Sequence, residues 1–287
     1  MLSHIIDVLA DPVDGTALSG ADDFTRLVSV SGHSYDVARQ GYVTLAGGAG
    51  LNHSGDSAEM VAARETFLSQ GHFAPLVEAV SAATLDALDE ASVPDDADPV
   101  ILEVGAGTGY YLSHTLDHID GARGVGLDVS TSAAKLLAKS HPRVGAVVAD
   151  VWSSLPLLDK SVDVICVVFA PRNPAEFARV LKDGGEVIVL TPDAGHLAEL
   201  REPLGIIDVE EGKVERMLEQ ASGHLRQVGE STHITFPMTL DKRSIAAQVA
   251  MSPSARHIEA AELDERVASL PETMTVTGKA TLTRLTV

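Results

Sequence analysis

The residues best suited to chemistry form a short run near the middle of the chain. Ile101-Leu102-Glu103-Val104 leads straight into Gly105-Ala106-Gly107-Thr108-Gly109 and then into Tyr110-Tyr111-Leu112. An apolar run, a glycine turn and a helix start, in that order, let a ligand lie against bare backbone. Glycine accepts positive φ and places no Cβ in the contact. A dinucleotide fingerprint would need its third glycine at position 110, where this chain has Tyr110, so the spacing here is GxGxG.

Two further acidic residues follow at the ends of the next apolar runs. Asp128 closes Gly124-Val125-Gly126-Leu127, where a carboxylate can accept both hydroxyls of a ribose. Asp150 follows Val144 to Val148 and Ala149, and with Val151 it offers a carboxylate and a backbone amide to an adenine ring. The candidate cofactor residues are therefore Glu103, Gly105, Gly107, Thr108, Gly109, Asp128, Asp150 and Val151. Turn formation alone does not require three acidic residues at successive strand ends, and the set favours S-adenosylmethionine over a dinucleotide. The methyl group of that sulfonium is already electrophilic, so a protein using it has to align a nucleophile and exclude water. No catalytic side chain is singled out on these grounds.

The elements that must hold these residues are legible as a pattern. Apolar runs at Val100 to Val104, Gly124 to Leu127, Val144 to Val148, Val162 to Phe169 and Glu186 to Leu190 alternate with helical or turn segments. This predicts an α/β fold, a Rossmann-like, mostly parallel sheet covered on both faces. His233 to Met238 and Thr273 to Val287 read as strands flanking a helix around Lys242 to Met251, and they predict an antiparallel hairpin at the carboxyl-terminal edge. Residues 1–50 are rich in turn formers and read as a small separate module. Residues 51–98 carry helical spacing (Met60, Ala63, Phe67, Leu68) and read as a connector reaching the cofactor site, with residues 99–287 as the catalytic domain. After the fourth apolar run comes Phe169-Ala170-Pro171-Arg172-Asn173-Pro174, at the edge where an acceptor should lie. It lacks the Asn-Pro-Pro-aromatic signature of exocyclic amino methylation.

Composition narrows the setting. The N-terminus has no basic segment followed by a long apolar one, and no window of eighteen apolar residues occurs, so a cytoplasmic protein without a membrane span is expected. The single cysteine, Cys166, sits in an apolar run and reads as a buried, inert thiol. A net charge of −20 opposes approach to a polyanion unless cations are concentrated on one face.

With these residues in view, the chain resembles the bacterial 23S ribosomal RNA guanine-N1 methyltransferases, whose members include housekeeping and macrolide-resistance enzymes. The resemblance spans nearly the full chain. It is carried by Gly55-Asp56-Ser57-Ala58-Glu59-Met60, Ala63-Arg64, Phe67-Leu68 and Gly71-His72-Phe73-Ala74-Pro75-Leu76, and further by Gly109-Tyr110-Tyr111, Phe169-Ala170-Pro171 and Thr191 to Leu200. It implies a class I methyltransferase sheet and the cofactor S-adenosyl-L-methionine, with Phe73 and His196 joining Gly107 and Thr108 as cofactor contacts. It also implies 23S rRNA as partner and a homodimer. Arg64, Tyr110, Phe169, Pro171 and Arg172 are candidate substrate contacts, and Tyr111 and Trp152 are further aromatics for a flipped base. A small-molecule acceptor on the same scaffold is the alternative.

The family's N-terminal module resembles a zinc ribbon, with a Cys-x2-Cys pair and a Cys-x3-His pair. Here the matching positions hold Asp11, Asp14, Ser29 and His33. Structural zinc takes thiolate and imidazole, so no zinc is expected and no metal ligand is assigned. Residues 1–60 carry two basic against eight acidic side chains, the reverse of an ordinary RNA-binding module.

Overall fold

The structure is a computed structural model of the 287-residue chain; it describes all residues except 48–49, 52, 95 and 207–211, and the side chain of residue 256. Two short 3-10 turns, Leu2–His4 and Ile6–Val8, open the chain. Strands β1 (Leu18–Ala21), β2 (Arg26–Ser29) and β3 (Ser34–Asp36) form a small antiparallel sheet, and β4 (Tyr42–Thr44) follows. Helices α1 (Ala58–Leu68) and α2 (Ala74–Glu90) lead into the alternating region: β5 (Val100–Val104), α3 (Tyr110–His118), β6 (Arg123–Asp128), α4 (Thr131–Ser140), β7 (Val144–Val148), β8 (Val162–Val168), α5 (Pro174–Val180) and β9 (Leu181–Pro192). The tail holds α6 (Arg201–Leu204), α7 (Lys213–Ala221), β10 (Arg226–Asp241), α8 (Lys242–Ala250), α9 (Ala260–Ala268) and β11 (Thr273–Thr286).

The main sheet has eight strands in the order β10-β11-β9-β8-β5-β6-β7-β4. Neighbours from β9 to β4 run parallel, and β11 runs antiparallel to both β9 and β10. The expected Rossmann-like class I sheet with an antiparallel edge is thus present. The helix expected around Lys242 to Met251 is α8, which with α9 joins β10 to β11, and β11 inserts between β9 and β10. Every residue of β5, β7 and β8 is buried, which is why these strands read as continuous apolar runs. Ile101, Cys166, Ile188 and Leu190 face a core built with α2, α3, α8 and α9, while Leu102, Val104, Ile165 and Val189 face α5, α7 and the N-terminal turns.

The first fifty residues do not stand apart from this body. Ile5, Leu9, Leu27 and Val43 share one core with the sheet, and β4 pairs with β7 from Tyr42↔Ala146 to Thr44↔Val148. Packing therefore continues across the boundary expected near residue 50. Cys166 is buried, as its apolar run implied, and burial pushes its thiol up to about 12. Among the described residues, no helix is long and apolar enough to cross a membrane.

The chain leaves β5 toward β6 and β7 on one side and returns to β8 on the other, so strand order reverses between β5 and β8. In open α/β sheets the crevice at the carboxyl ends of such a pair is where ligands bind.

Candidate functional site

The glycine loop follows β5 at this reversal. Gly105 N–H and Ala106 N–H both donate to the Leu127 carbonyl, at 2.8 and 3.0 Å, and Gly107 N–H donates to an Asp128 oxygen at 2.8 Å. The other Asp128 oxygen accepts Ser130 N–H at 2.8 Å, so the aspartate clamps the loop to the next strand. Gly105 has φ +68°, and a Cβ there would lie 2.5 Å from the Ala170 Cβ, so only glycine fits against the end of β8. Glu103 is fully buried and accepts Leu112 N–H at 3.0 Å. Burial pushes its carboxyl up to about 8, with Asp128 adding to the rise and the Leu112 donor opposing it. Burial also raises Asp128, against the two backbone donors that it accepts.

A pocket opens above this loop. Its walls bring together Glu103, Gly105, Gly107, Thr108 and Tyr110 with Phe73 at the start of α2, Arg64 on α1 and Phe169 after β8. These are eight of the residues expected from sequence, drawn from three separate stretches of chain. His196 stands beside them, its ring 6.0 Å from Phe73 and 6.1 Å from Phe169. Its Nδ1 accepts Lys279 N–H at 3.0 Å, which puts the remaining ring proton on Nε2, and burial pushes its pKa down to about 4. His196 is therefore neutral and lies against the aromatic wall. Phe169 holds φ +52°, uncommon for a bulky residue, at the exposed rim.

Arg64 enters the pocket from α1. Its Nη2 donates to Asp56 at 2.6 Å and to the Met251 carbonyl at 3.1 Å. Asp56 is itself held over the loop, its carbonyl accepting Ser130 Oγ at 2.7 Å. The Gly55–Met60 block thus works as a strap that lays α1 across the cofactor loop. Gly109 caps α3 in the left-handed region behind the pocket.

Asp150 and Val151 sit on the turn after β7. Asp150 is buried and accepts Trp152 N–H at 3.0 Å, and the Val151 carbonyl accepts the Asn173 amide at 2.9 Å. Arg172 and Trp152 are not brought to the glycine loop. They line a second cavity of about 230 Å³, with Phe177, Val189, Met217 and Leu285 on the face covered by α5 and α7. Pro171 is exposed between the two. Residues not expected from sequence also line the cofactor pocket: Leu68, Val168 and Met251. Leu68 and Val168 read as ordinary core positions, and Met251 arrives from 187 residues beyond Arg64, a proximity that no spacing rule encodes.

The four positions matching the zinc ligands lie together, with Asp11, Asp14 and His33 ligand atoms within 4.8 Å of one another. Their donors are already engaged. Asp11 accepts Val13 N–H at 2.8 Å and Tyr35 Oη at 2.7 Å, and pairs with His33 Nδ1 at 2.7 Å. Asp14 accepts Thr16 and Ser31, and Ser29 Oγ accepts His33 N–H at 3.2 Å. A set with one imidazole, two hydrogen-bonded carboxylates and a hydroxyl does not fit structural zinc. Burial works to raise the Asp11 carboxyl, but hydrogen bonds from Ser29, Tyr35, Val13 and His33 outweigh it and hold the group well below the usual carboxylate range.

Comparison with known proteins gives the family of the chain. A family model described as "Methyltransferase domain" matches residues 101–185, from β5 into β9. A protein of Micromonospora griseorubida, provisionally named a 23S rRNA (guanine-N(1)-)-methyltransferase, is 43% identical over 293 aligned residues covering 99% of each chain. The 23S rRNA (guanine(748)-N(1))-methyltransferase of Streptomyces fradiae is 38% identical over 283 residues, covering 99% of this chain and 98% of that one. Among solved structures, an S-adenosylmethionine-dependent methyltransferase from Thiobacillus denitrificans in complex with S-adenosyl-L-homocysteine aligns with a TM-score of 0.43 at 17% identity, over 73% of this chain and 89% of that one.

Proposed function

Because the chain belongs to the 23S rRNA (guanine-N1) methyltransferases, we propose that it methylates N1 of a guanine in a 23S rRNA hairpin, using S-adenosylmethionine. The observation that carries this reading is the convergence of Glu103, Gly105, Gly107 and Thr108 with Phe73 and Phe169 at the reversal of strand order. S-adenosylmethionine would supply an electrophilic methyl group on a sulfonium. The loop and its clamp suit that group: Gly105 and Gly107 present bare backbone, and each Asp128 oxygen retains a lone pair for a ribose hydroxyl. The buried Asp150 carboxylate and the Val151 amide would receive the adenine.

The acceptor side is aromatic. Phe169 is 39% exposed at the rim and offers a face on which an extruded base can stack, with Phe73 and His196 behind it excluding water. Guanine N1 carries a proton that must leave. His196, with a pKa near 4, is too weak a base for that role and serves as part of the wall.

RNA binding by a chain of charge −20 needs cations that are not already paired. Many are paired, for example Arg123 with Asp7, Arg179 with Glu176 and Arg284 with Glu186. Arg39, Lys135 and Lys139 are exposed and have no ion pair among the described residues. The two lysines lie on α4, which begins at the cofactor cleft with Ser130 and packs along β4. These two lysines are a candidate surface for the RNA phosphates.

The test is to incubate the protein with labelled S-adenosylmethionine and 23S rRNA that lacks the modification, then map the product by primer extension. N1 methylation blocks the Watson–Crick edge, so reverse transcription should stop at one guanine. Confirmed cofactor binding with no label in RNA would overturn the reading in favour of a small-molecule acceptor.

A further inference from the structure

Of the charged side chains lining the cofactor pocket, Glu103 is the acid and Arg64 the cation. The guanidinium has five N–H donors. Nη2 spends its two on Asp56 and the Met251 carbonyl, but Nε is buried with no partner among the described residues, and no acceptor there meets Nη1. A second buried donor on the same wall, Tyr111 Oη, also lacks a partner. A buried donor left bare is costly, and two on one wall point to an acceptor that arrives with the ligand.

The position of Arg64 is built rather than incidental. The Ser57-capped helix α1 carries it over the loop, Asp56 fixes one end of the guanidinium, and Gly107 leaves room for its stem. A Cβ on Gly107, which has φ +55°, would lie 3.3 Å from the Arg64 Cδ. The arginine side chain therefore runs directly across the backbone that the methyl donor must touch.

The chemistry of that donor leaves one partner. S-adenosylmethionine presents two cations, the sulfonium and the α-ammonium, which repel a guanidinium. Its ribose hydroxyls are matched by Asp128, and its adenine is neutral. Its only anion is the carboxylate of the methionine portion, and a planar guanidinium is the side chain best shaped for a carboxylate. Resting on the cofactor reading above, we infer that Arg64 is the carboxylate anchor of the donor's amino-acid portion and so fixes the position of the methyl group, rather than contacting the RNA.

The test removes the two halves of this contact separately. Calorimetry on the full chain measures binding of S-adenosylhomocysteine and of its decarboxylated analogue, in wild type, Arg64→Met and Arg64→Lys. Wild type should prefer the carboxylated ligand. Arg64→Met should weaken S-adenosylhomocysteine by about 10- to 100-fold and leave the decarboxylated analogue within about threefold, with Arg64→Lys in between. An unchanged preference in Arg64→Met would overturn the assignment. So would an equal loss of both ligands, which would mean that Arg64 only supports the fold. If wild type binds neither ligand, the methyl-donor reading itself fails, and this inference with it.

Discussion

His53 Nδ1 lies 2.7 Å from a carboxylate oxygen of Asp150, joining the loop ahead of α1 to the turn after β7 across 97 residues of sequence. The two partners are unlike: the Asp150 side chain is buried, whereas that of His53 is 57% exposed. A pair with one member in water contributes little. The carboxylate, held by Trp152 N–H as well, is therefore the member of the pair proposed to meet the adenine. His53→Ala should cost under about 1 kcal/mol of stability and change donor affinity by less than about threefold. Asp150→Ala should weaken the donor by about tenfold or more. Calorimetry with S-adenosylhomocysteine checks both; comparable losses in the two variants would mean that the imidazole, not only the acid, builds the adenine site.

Glu103 makes the site sensitive to pH. Burial pushes its carboxyl up to about 8, so between the ordinary carboxyl value and pH 8 the folded chain keeps a proton that the unfolded chain has lost. Stability must then fall as pH rises through that window. A bound cationic donor favours the ionised carboxylate, so binding at pH 7 should release up to about one proton, and affinity should rise toward pH 8. Glu103→Gln removes the titration. Its melting temperature should gain on wild type at pH 8 relative to pH 5.5, and the proton release should vanish. Parallel melting profiles for the two proteins across that range would refute this role.

The legible part of this molecule was the part governed by local rules. Alternating apolar runs encode a parallel sheet, and Gly105 to Gly109 with Asp128 and Asp150 mark the turns at its carboxyl edge, because strand ends and turns are set by neighbours in sequence. The place of β4 was not legible. β4 is three residues long, and its place beside β7 depends on tertiary pairing that a short Tyr-Val-Thr run does not announce. Arg172 and Phe169 are three residues apart, yet Phe169 faces the cofactor pocket and Arg172 the α5–α7 cavity. The turn after β8 sends them to opposite faces of the sheet. Likewise no spacing rule places Arg64 on α1 against Gly107 of the loop.

The N-terminal module should fold without metal. Asp11, His33 and Tyr35 form the link that a zinc ion would otherwise provide. A chelator should leave the melting temperature unchanged within about a degree, because Asp11, Asp14, Ser29 and His33 are a poor ligand set for structural zinc. Asp11→Ala leaves the buried end of the Tyr35 and His33 network unpaired and should cost about 2–4 kcal/mol. Because the Asp11 carboxyl is held low, its stabilisation is present above the ordinary carboxyl value and lost only as pH falls well below it. Denaturant titration at pH 7 with and without chelator measures both effects, and a large loss on chelation would show that these residues hold a metal after all.

The acidic composition turns RNA recognition into an electrostatic prediction. With a net charge of −20, long-range attraction to RNA is absent, and contact has to come from local cations within about a Debye length of the phosphates. Lys135 and Lys139 on α4 are exposed, unpaired among the described residues, and lie on the helix whose cap touches the cofactor strap. Lys135→Glu with Lys139→Glu should weaken 23S rRNA binding by about tenfold or more at physiological salt. It should also lower the slope of log affinity against log salt by about 1.4–1.8, since each lost phosphate contact removes about 0.7–0.9. Donor affinity should not move, because neither lysine lines the cofactor pocket. Filter binding across a salt series separates the outcomes. A weaker complex with an unchanged slope would mean a packing defect, whereas an unchanged complex would place the RNA on another face, with Arg39 and the small N-terminal sheet next to be tested.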